Sequence, residues 1–204
     1  FGFYAEKDGE RHKYFLRRYR KGKSKKEILL EHGMLACAKQ KGIDFVAAVI
    51  PTRKGKSYVE LFEGDGEDRQ QWYFAVYEFL KGEDKYSWLY TNLSDEEMAS
   101  AGEVLARFHN AVKDFDPKDL AGQQPGILEL LPLLRDKTFK EWAALDINNI
   151  FTEYFRENLP RICAIIDKLI IPEEDRAKLL LIPIQGDCHQ GNMRFEDNKV
   201  VGVF

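Results

Sequence analysis

Apolar and polar positions alternate along the first part of the chain and then change to a helical period. Phe1–Lys7 and Tyr14–Arg20 are rich in aromatic and β-favouring residues, and Asp8-Gly9 between them is a hairpin turn signal. In the second of these strands, alternation puts Phe15, Arg17 and Tyr19 on one face and Leu16 and Arg18 on the other. Ser24 to Gln40 reads as a helix. Ser24 with Glu27 three residues on is a capping-box pattern, Ile28, Leu35 and Ala38 fall near one face, and Gly42 ends it. Glu31 lies inside this helix beside the apolar face, where a carboxylate calls for a cationic partner. Phe45–Pro51, Ser57–Glu63 and Gln71–Leu80 read as strands, parted by turns at Lys54-Gly55-Lys56 and from Gly64 to Asp68. The first 80 or so residues are thus β-β-α-β-β-β, a small antiparallel sheet with one helix.

The second pattern is helical. Ser94 caps a segment running to Lys113, with Glu97 three residues on and an apolar stripe of Ala101, Val104, Leu105, Phe108 and Val112. Asp116–Gly126 is a loop, and Ile127–Leu134 and Thr138–Leu145 are short helices. Asn148–Leu169 is a longer helix broken or restarted near Pro160. Pro172–Leu180 is a last helical piece, with Glu173, Glu174 and Asp175 in its first turn where the dipole favours them. The chain ends on two strand-like segments, Met193–Glu196 and Val200–Phe204. The change of pattern places a lobe boundary at Lys81–Leu93, and the fold class is α+β.

Composition narrows the function classes. The 204 residues suit one two-lobed domain or two small ones. Net charge is −3, which gives no global case for nucleic-acid binding, and the basic cluster Arg17–Lys26 is local. No apolar run approaches the roughly 20 residues needed to span a membrane. The cysteines, Cys37, Cys163 and Cys188, are odd in number and widely spaced, which argues against a disulfide framework or a zinc site and fits a reducing cytoplasm.

Candidate chemistry lies in Gln185-Gly-Asp-Cys-His-Gln-Gly-Asn192, after the apolar run Leu179–Ile184. A carboxylate, an amide and two glycines share a tight loop between strand-like pieces. Such a loop can place one carboxylate as a base and one amide oxygen on a metal ion. The loop Gly186–Asn192 resembles the "HGDxHxxN" loop of the aminoglycoside phosphotransferase/choline kinase-type kinases. The segment Gly102-Glu-Val-Leu-Ala-Arg-Phe-His109 is similar to that family's "lgxxLaxlH" helix. Tyr14-Phe-Leu-Arg-Arg-Tyr-Arg20 followed by Glu31 is similar to its basic strand and helix glutamate. The likeness covers nearly the whole chain.

The resemblance implies a two-lobed protein-kinase-like fold. Residues 1–82 would form a nucleotide-binding lobe with a hinge at its end, and 83–204 a mainly helical lobe carrying the catalytic loop. It implies ATP and Mg²⁺ as cofactors and a small-molecule hydroxyl as acceptor, an amino alcohol, aminoglycoside, amino acid or sugar, with a protein serine or threonine as the wider option. Asp187 would orient the acceptor hydroxyl, and Asn192 would hold magnesium. Arg17 would meet the ATP phosphates with Glu31 as its ion-pair partner, Arg18 being the alternative if the register shifts by one. Glu78 and Leu80 would belong to the hinge that binds adenine. Two departures stand out. Gln185 occupies a place where the family most often has His, and Gly202-Val203-Phe204 matches the approach to the family's metal-binding aspartate, expected just past Phe204. The expectation is therefore a chain truncated at both ends. The rival reading is a non-catalytic kinase-like binding or regulatory module.

Overall fold

In a computed structural model, residues 1–66, 69–85, 92–120, 126–180 and 182–204 are described. Strands β1 (Gly2–Lys7) and β2 (Glu10–Arg18) form the expected antiparallel hairpin. Asp8 (φ 55°) and Gly9 (φ 81°) are both left-handed, the combination whose twist matches that of the strands it joins. Strand β2 begins at Glu10 rather than Tyr14, because cross-strand pairing with β1 extends it through polar residues that carry no hydrophobic signal. Helix α1 (Lys25–Gln40) opens with the expected capping box. Ser24 Oγ accepts from the Glu27 N–H (3.1 Å) and the Glu27 carboxylate accepts from the Ser24 N–H (2.8 Å). That second bond, helped by Lys23, brings the Glu27 carboxyl down to about 2.

Strands β3 (Val49–Ile50), β4 (Val59–Glu63) and β5 (Gln70–Glu78) complete an antiparallel sheet ordered β1-β2-β5-β3, with β4 also on β5. The strand expected over 45–51 shrinks to two residues. Phe45, Val46 and Ala47 are buried, and Val46 makes a parallel bridge to Val203 at the other end of the chain. Their hydrophobicity marks core, not a long strand.

Helix α2 (Asp95–Val112) buries Val104, Phe108, Ala111 and Val112. Strands β6 (Met193–Glu196) and β7 (Lys199–Val203) form a second hairpin. Its turn residues Asp197 (φ 48°) and Asn198 (φ 60°) are again left-handed. Phe45, Val104, Phe108, Val112 and Phe195 share one hydrophobic cluster, and each such side chain contributes about 1.5–3 kcal/mol on burial. A second cluster holds Tyr19, Ile28, Ala47, Tyr58, Ala75 and Tyr77 between the sheet and α1.

The chain leaving β5 is stitched to the β6–β7 hairpin. Glu83 N–H donates to the Phe195 carbonyl (2.8 Å), and Phe195 N–H donates back to Glu83 (3.1 Å). Gly82 makes this approach feasible. Its φ is +92°, and a Cβ there would lie 2.7 Å from Val201 Cγ2 and 3.0 Å from the Phe195 carbonyl oxygen.

By compactness the chain forms two units. Residues 1–121 with 182–204 form one unit, and 122–181 another. Part of the Lys81–Leu93 boundary and of the Asp116–Gly126 loop lies outside the described residues. The second unit contains α3 (Ile127–Leu133), a π-helical turn Leu134–Thr138, α4 (Phe139–Ala143), α5 (Ile150–Leu169) and α6 (Glu173–Arg176). The expected break at Pro160 is absent: α5 is continuous. A proline removes one N–H donor from the ladder, and both flanks are otherwise secured. Asn149 caps the Phe151 and Thr152 N–H groups, Phe155 packs on Phe139 and Trp142, and Ile166 is buried. No helix among the described residues is long and apolar enough to cross a membrane.

Candidate active site

All six candidate site residues lie in the first compact unit. Strand β2 carries Arg17 and helix α1 carries Glu31, and the structure pairs them: Arg17 NH1 lies 2.8 Å from Glu31 Oε1. Strand parity explains the choice between the arginines. Arg17 shares its face with Tyr19, against α1, whereas Arg18 points to the other face and stacks 4.7 Å over the Trp72 ring. Burial works against the charge on Arg17, but Glu31, Tyr19 and Tyr77 outweigh it, so its pKa is raised.

Glu31 is held by more than Arg17. The same oxygen lies 2.8 Å from Tyr77 OH and 3.1 Å from Tyr19 OH. The two tyrosine hydroxyls bond each other. Both also meet His32 Nε2, at 2.9 Å from Tyr19 and 3.0 Å from Tyr77, while His32 Nδ1 lies 2.8 Å from Ser57 Oγ. His32, Tyr19 and Tyr77 are buried. Burial raises the pKa of both tyrosines, with Glu31 adding to it, and burial lowers that of His32. Sequence reasoning missed His32, Tyr77 and Ser57 altogether. A faint signal exists, since His32 follows Ile28 by one helical turn and so faces the core.

The loop after Ile184 has a different construction. Gly186 is left-handed (φ 76°), which turns the chain sharply into Asp187. The Asp187 side chain is 77% exposed, and a charged acceptor open to solvent can meet a ligand. Asn192 Nδ2 donates to the Asp187 carbonyl (2.9 Å) and to its carboxylate (3.1 Å). With its NH₂ so committed, Asn192 presents Oδ1 as a further oxygen donor. His189 Nδ1 accepts from the Gly191 N–H (3.0 Å), and its Nε2 lies 3.8 Å from the Asp187 carboxylate.

Two residues tie this loop to the fold. Gln185 Oε1 accepts from the Asp187 N–H (2.8 Å), and Gln185 Nε2 donates to the Phe204 carbonyl (3.1 Å). The Gln185 N–H donates to His109 Nε2 at the end of α2 (3.3 Å). Burial lowers the pKa of His109 and so favours the neutral ring this acceptor needs. Gln185 therefore does structural work where a histidine was expected.

Glu78 and Leu80 line a cleft of about 670 Å³, together with Lys13, Tyr14, Phe79 and Val201. That volume falls in the range of small-ligand sites. The Glu78 carboxylate accepts from the Ala48 N–H (3.1 Å) and pairs with Lys39 (3.3 Å), so it braces the sheet. Leu80 is buried. Lys13 Nζ sits 3.8 Å over the Phe79 ring at the cleft wall.

The structure thus joins Arg17 with Glu31, Glu78 with Leu80, and Asp187 with Asn192. The pieces suit phosphate chemistry: a fixed cation, a cleft, and a carboxylate beside an amide oxygen. Magnesium takes hard oxygen donors, and Asn192 Oδ1 is one. No group of three His, Cys, Asp or Glu side chains that could hold a metal occurs among the described residues. Asn192 thus fits as one metal ligand, not as a complete site.

A family model described as a phosphotransferase enzyme family matches residues 2–204. No curated protein matches the chain. Among solved structures, the chain is similar to an aminoglycoside phosphotransferase from Alicyclobacillus acidocaldarius, at 17% identity and a TM-score of 0.58, over 99% of this chain and 61% of that one. It is also similar to a protein from Ralstonia eutropha JMP134 described as a candidate aminoglycoside phosphotransferase. There the identity is 18% and the TM-score 0.52, over 100% of this chain and 54% of that one. The chain thus spans between about half and three fifths of these neighbours. At such identities the likeness speaks to fold, and the expected α+β kinase-like class is the observed one: a small antiparallel sheet with one helix, and a helical part.

Proposed function

From the premise that the chain belongs to the phosphotransferase enzyme family, we propose that it works in an ATP-dependent phosphotransferase acting on a small-molecule hydroxyl. Residues 1–82 serve the nucleotide and 83–204 bring the catalytic loop. Asp187 orients the acceptor hydroxyl and takes its proton. Asn192 supplies one oxygen to Mg²⁺, which when bound neutralises phosphate charge. Arg17, fixed by Glu31, meets the phosphates, and Leu80 and the Glu78 segment take the base in the cleft they line. Phosphoryl transfer is mostly positioning and charge neutralisation, so it asks for these few groups and little covalent chemistry. The acceptor class is an amino alcohol, aminoglycoside, amino acid or sugar.

The observation that carries this reading is the Asp187–Asn192 pair: an exposed carboxylate with a neighbouring amide turned so that its oxygen is left over. Gln185 weighs against the non-catalytic alternative, because its two side-chain bonds support the loop in place of the usual histidine. A thermal-shift assay of the full-length protein tests nucleotide use. ATP with Mg²⁺ at 100 times its dissociation constant should stabilise by about 2.7 kcal/mol. No shift at millimolar ATP and Mg²⁺ would sink the proposal. A panel of hydroxylated amines, amino acids and sugars added to the bound state then sorts the acceptor class.

A further inference from the structure

Buried Tyr19, Tyr77 and His32 form with half-buried Ser57 a polar cluster that none of the roles above uses. Its proton inventory is restrictive. Each hydroxyl has one proton to give, and a neutral imidazole has one. Five short contacts join Tyr19, Tyr77, His32 Nε2 and Glu31 Oε1, and two hydroxyl protons cannot fill them all. Glu31 Oε1 can only accept. The shorter tyrosine contact to it is that of Tyr77, at 2.8 Å against 3.1 Å, so Tyr77 donates to the carboxylate. Tyr19 then donates to Tyr77, and His32 must donate from Nε2 to the tyrosine oxygens. With its proton on Nε2, a neutral His32 accepts at Nδ1, and Ser57 is placed 2.8 Å away to donate there. The hydrogen bonds then run one way, from Ser57 to the carboxylate, and the longer Tyr19–Glu31 contact (3.1 Å) carries no proton. Such chains polarise each successive bond and strengthen the last.

We propose that Tyr77, backed by Tyr19, His32 and Ser57, is a positioning residue for Arg17, acting by locking the Glu31 carboxylate through this one-way chain. The role rests on the reading of Arg17 as the phosphate-binding cation. Physically, an arginine that is 46% exposed has many rotamers open to it. A carboxylate tethered at one oxygen by a buried hydroxyl gives the guanidinium a single place to bind. Tyr77 thus acts on the nucleotide only through Arg17, and touches neither phosphate nor acceptor in this scheme.

A double-mutant cycle separates this role from a merely structural one. In the full-length protein, calorimetry measures the affinity of wild type, R17A, Y77F and R17A/Y77F for ATP with Mg²⁺ and for adenosine, which lacks phosphates. Y77F should weaken ATP by about three- to tenfold, the net scale of one ordinary hydrogen bond. It should leave adenosine unchanged and add nothing in the R17A background. Additive losses, an equal loss for adenosine, or unchanged ATP affinity in Y77F beside a weakened R17A would each overturn the positioning role while leaving the reading of Arg17 intact. Wild-type ATP affinity in R17A would overturn both. If Y77F fails to fold, S57A at the half-buried outer end of the chain takes its place in the cycle, with a smaller loss expected. Nitrogen-15 NMR of the wild type is a second readout. A neutral His32 protonated at Nε2 is expected, and a proton on Nδ1 would overturn the one-way chain.

Discussion

Replacing Gln185 by alanine isolates what holds the Gln185–Asn192 loop in shape. The substitution removes two side-chain bonds, the 2.8 Å contact to the Asp187 N–H and the 3.1 Å contact to the Phe204 carbonyl. It spares the main-chain bond from Gln185 N–H to His109. Each lost bond is worth about 0.5–1.5 kcal/mol net. The loop is open to solvent and water can replace part of both, so about 1.4 kcal/mol of local order should go. That amounts to roughly tenfold in the opening equilibrium. Amide hydrogen exchange reads it at the affected donor. The Asp187 amide should exchange about tenfold faster in Q185A, while the Phe195 amide, which bonds Glu83 within the core, should be unchanged. Q185H should recover most of the protection, because one imidazole nitrogen can accept from Asp187 while the other donates to Phe204. Unchanged exchange at Asp187, or equal acceleration at Phe195, would refute the view that Gln185 braces this loop specifically.

Two further outcomes follow from the same geometry. His32 is kept neutral by burial, so its folded pKa lies below the ordinary value near 6.5. Its contribution to stability is therefore complete above pH 6.5 and is lost as pH falls from there towards the depressed folded pKa, by up to about 1.4 kcal/mol per unit. Denaturant unfolding between pH 7.5 and 5 should show this slope in the wild type and a smaller one in H32Q, where His109, whose pKa burial also lowers, still contributes; an equal slope in the two proteins would contradict it. Gly82→Ala forces a Cβ against Val201 and the Phe195 carbonyl at φ +92°. It should destabilise by about 1–3 kcal/mol in denaturant titrations, whereas a change below about 0.5 kcal/mol would show that the close approach is not required.

Local signals in the sequence account for much of the first unit. The Asp8-Gly9 hairpin and both capping boxes are short-range features, fixed by side chains within three residues of the groups they bond, and all three are present. Alternation on β2 placed Arg17 and Tyr19 on the face that meets α1, and the carboxylate left beside the apolar stripe of α1 found its cation there. Features that depend on partners far along the chain were not legible. Val46 pairs with Val203, so a run that looks like a strand is instead core filler. The His32 cluster draws on α1, Tyr19 just past β2, Tyr77 on β5 and Ser57, and no spacing announces it. Pro160 misled because a proline's local cost is fixed, while the cap and aromatic packing that outweigh it are set elsewhere. In the loop, the order of residue types pointed to Asp187 and Asn192, but the brace from Gln185 and His109 is a tertiary property.

The central claim is that Asp187 is the group that orients and deprotonates the acceptor. It is tested most directly by following transfer of the γ-phosphoryl group of ATP to the acceptor panel in full-length wild type and D187A, with nucleotide affinity measured alongside. Wild type should phosphorylate at least one hydroxylated compound. D187A should lose at least about 100-fold in rate, the lower end for removal of a general base, while binding ATP as wild type does. Transfer by D187A at a rate near that of wild type, with ATP binding intact, would contradict the assignment.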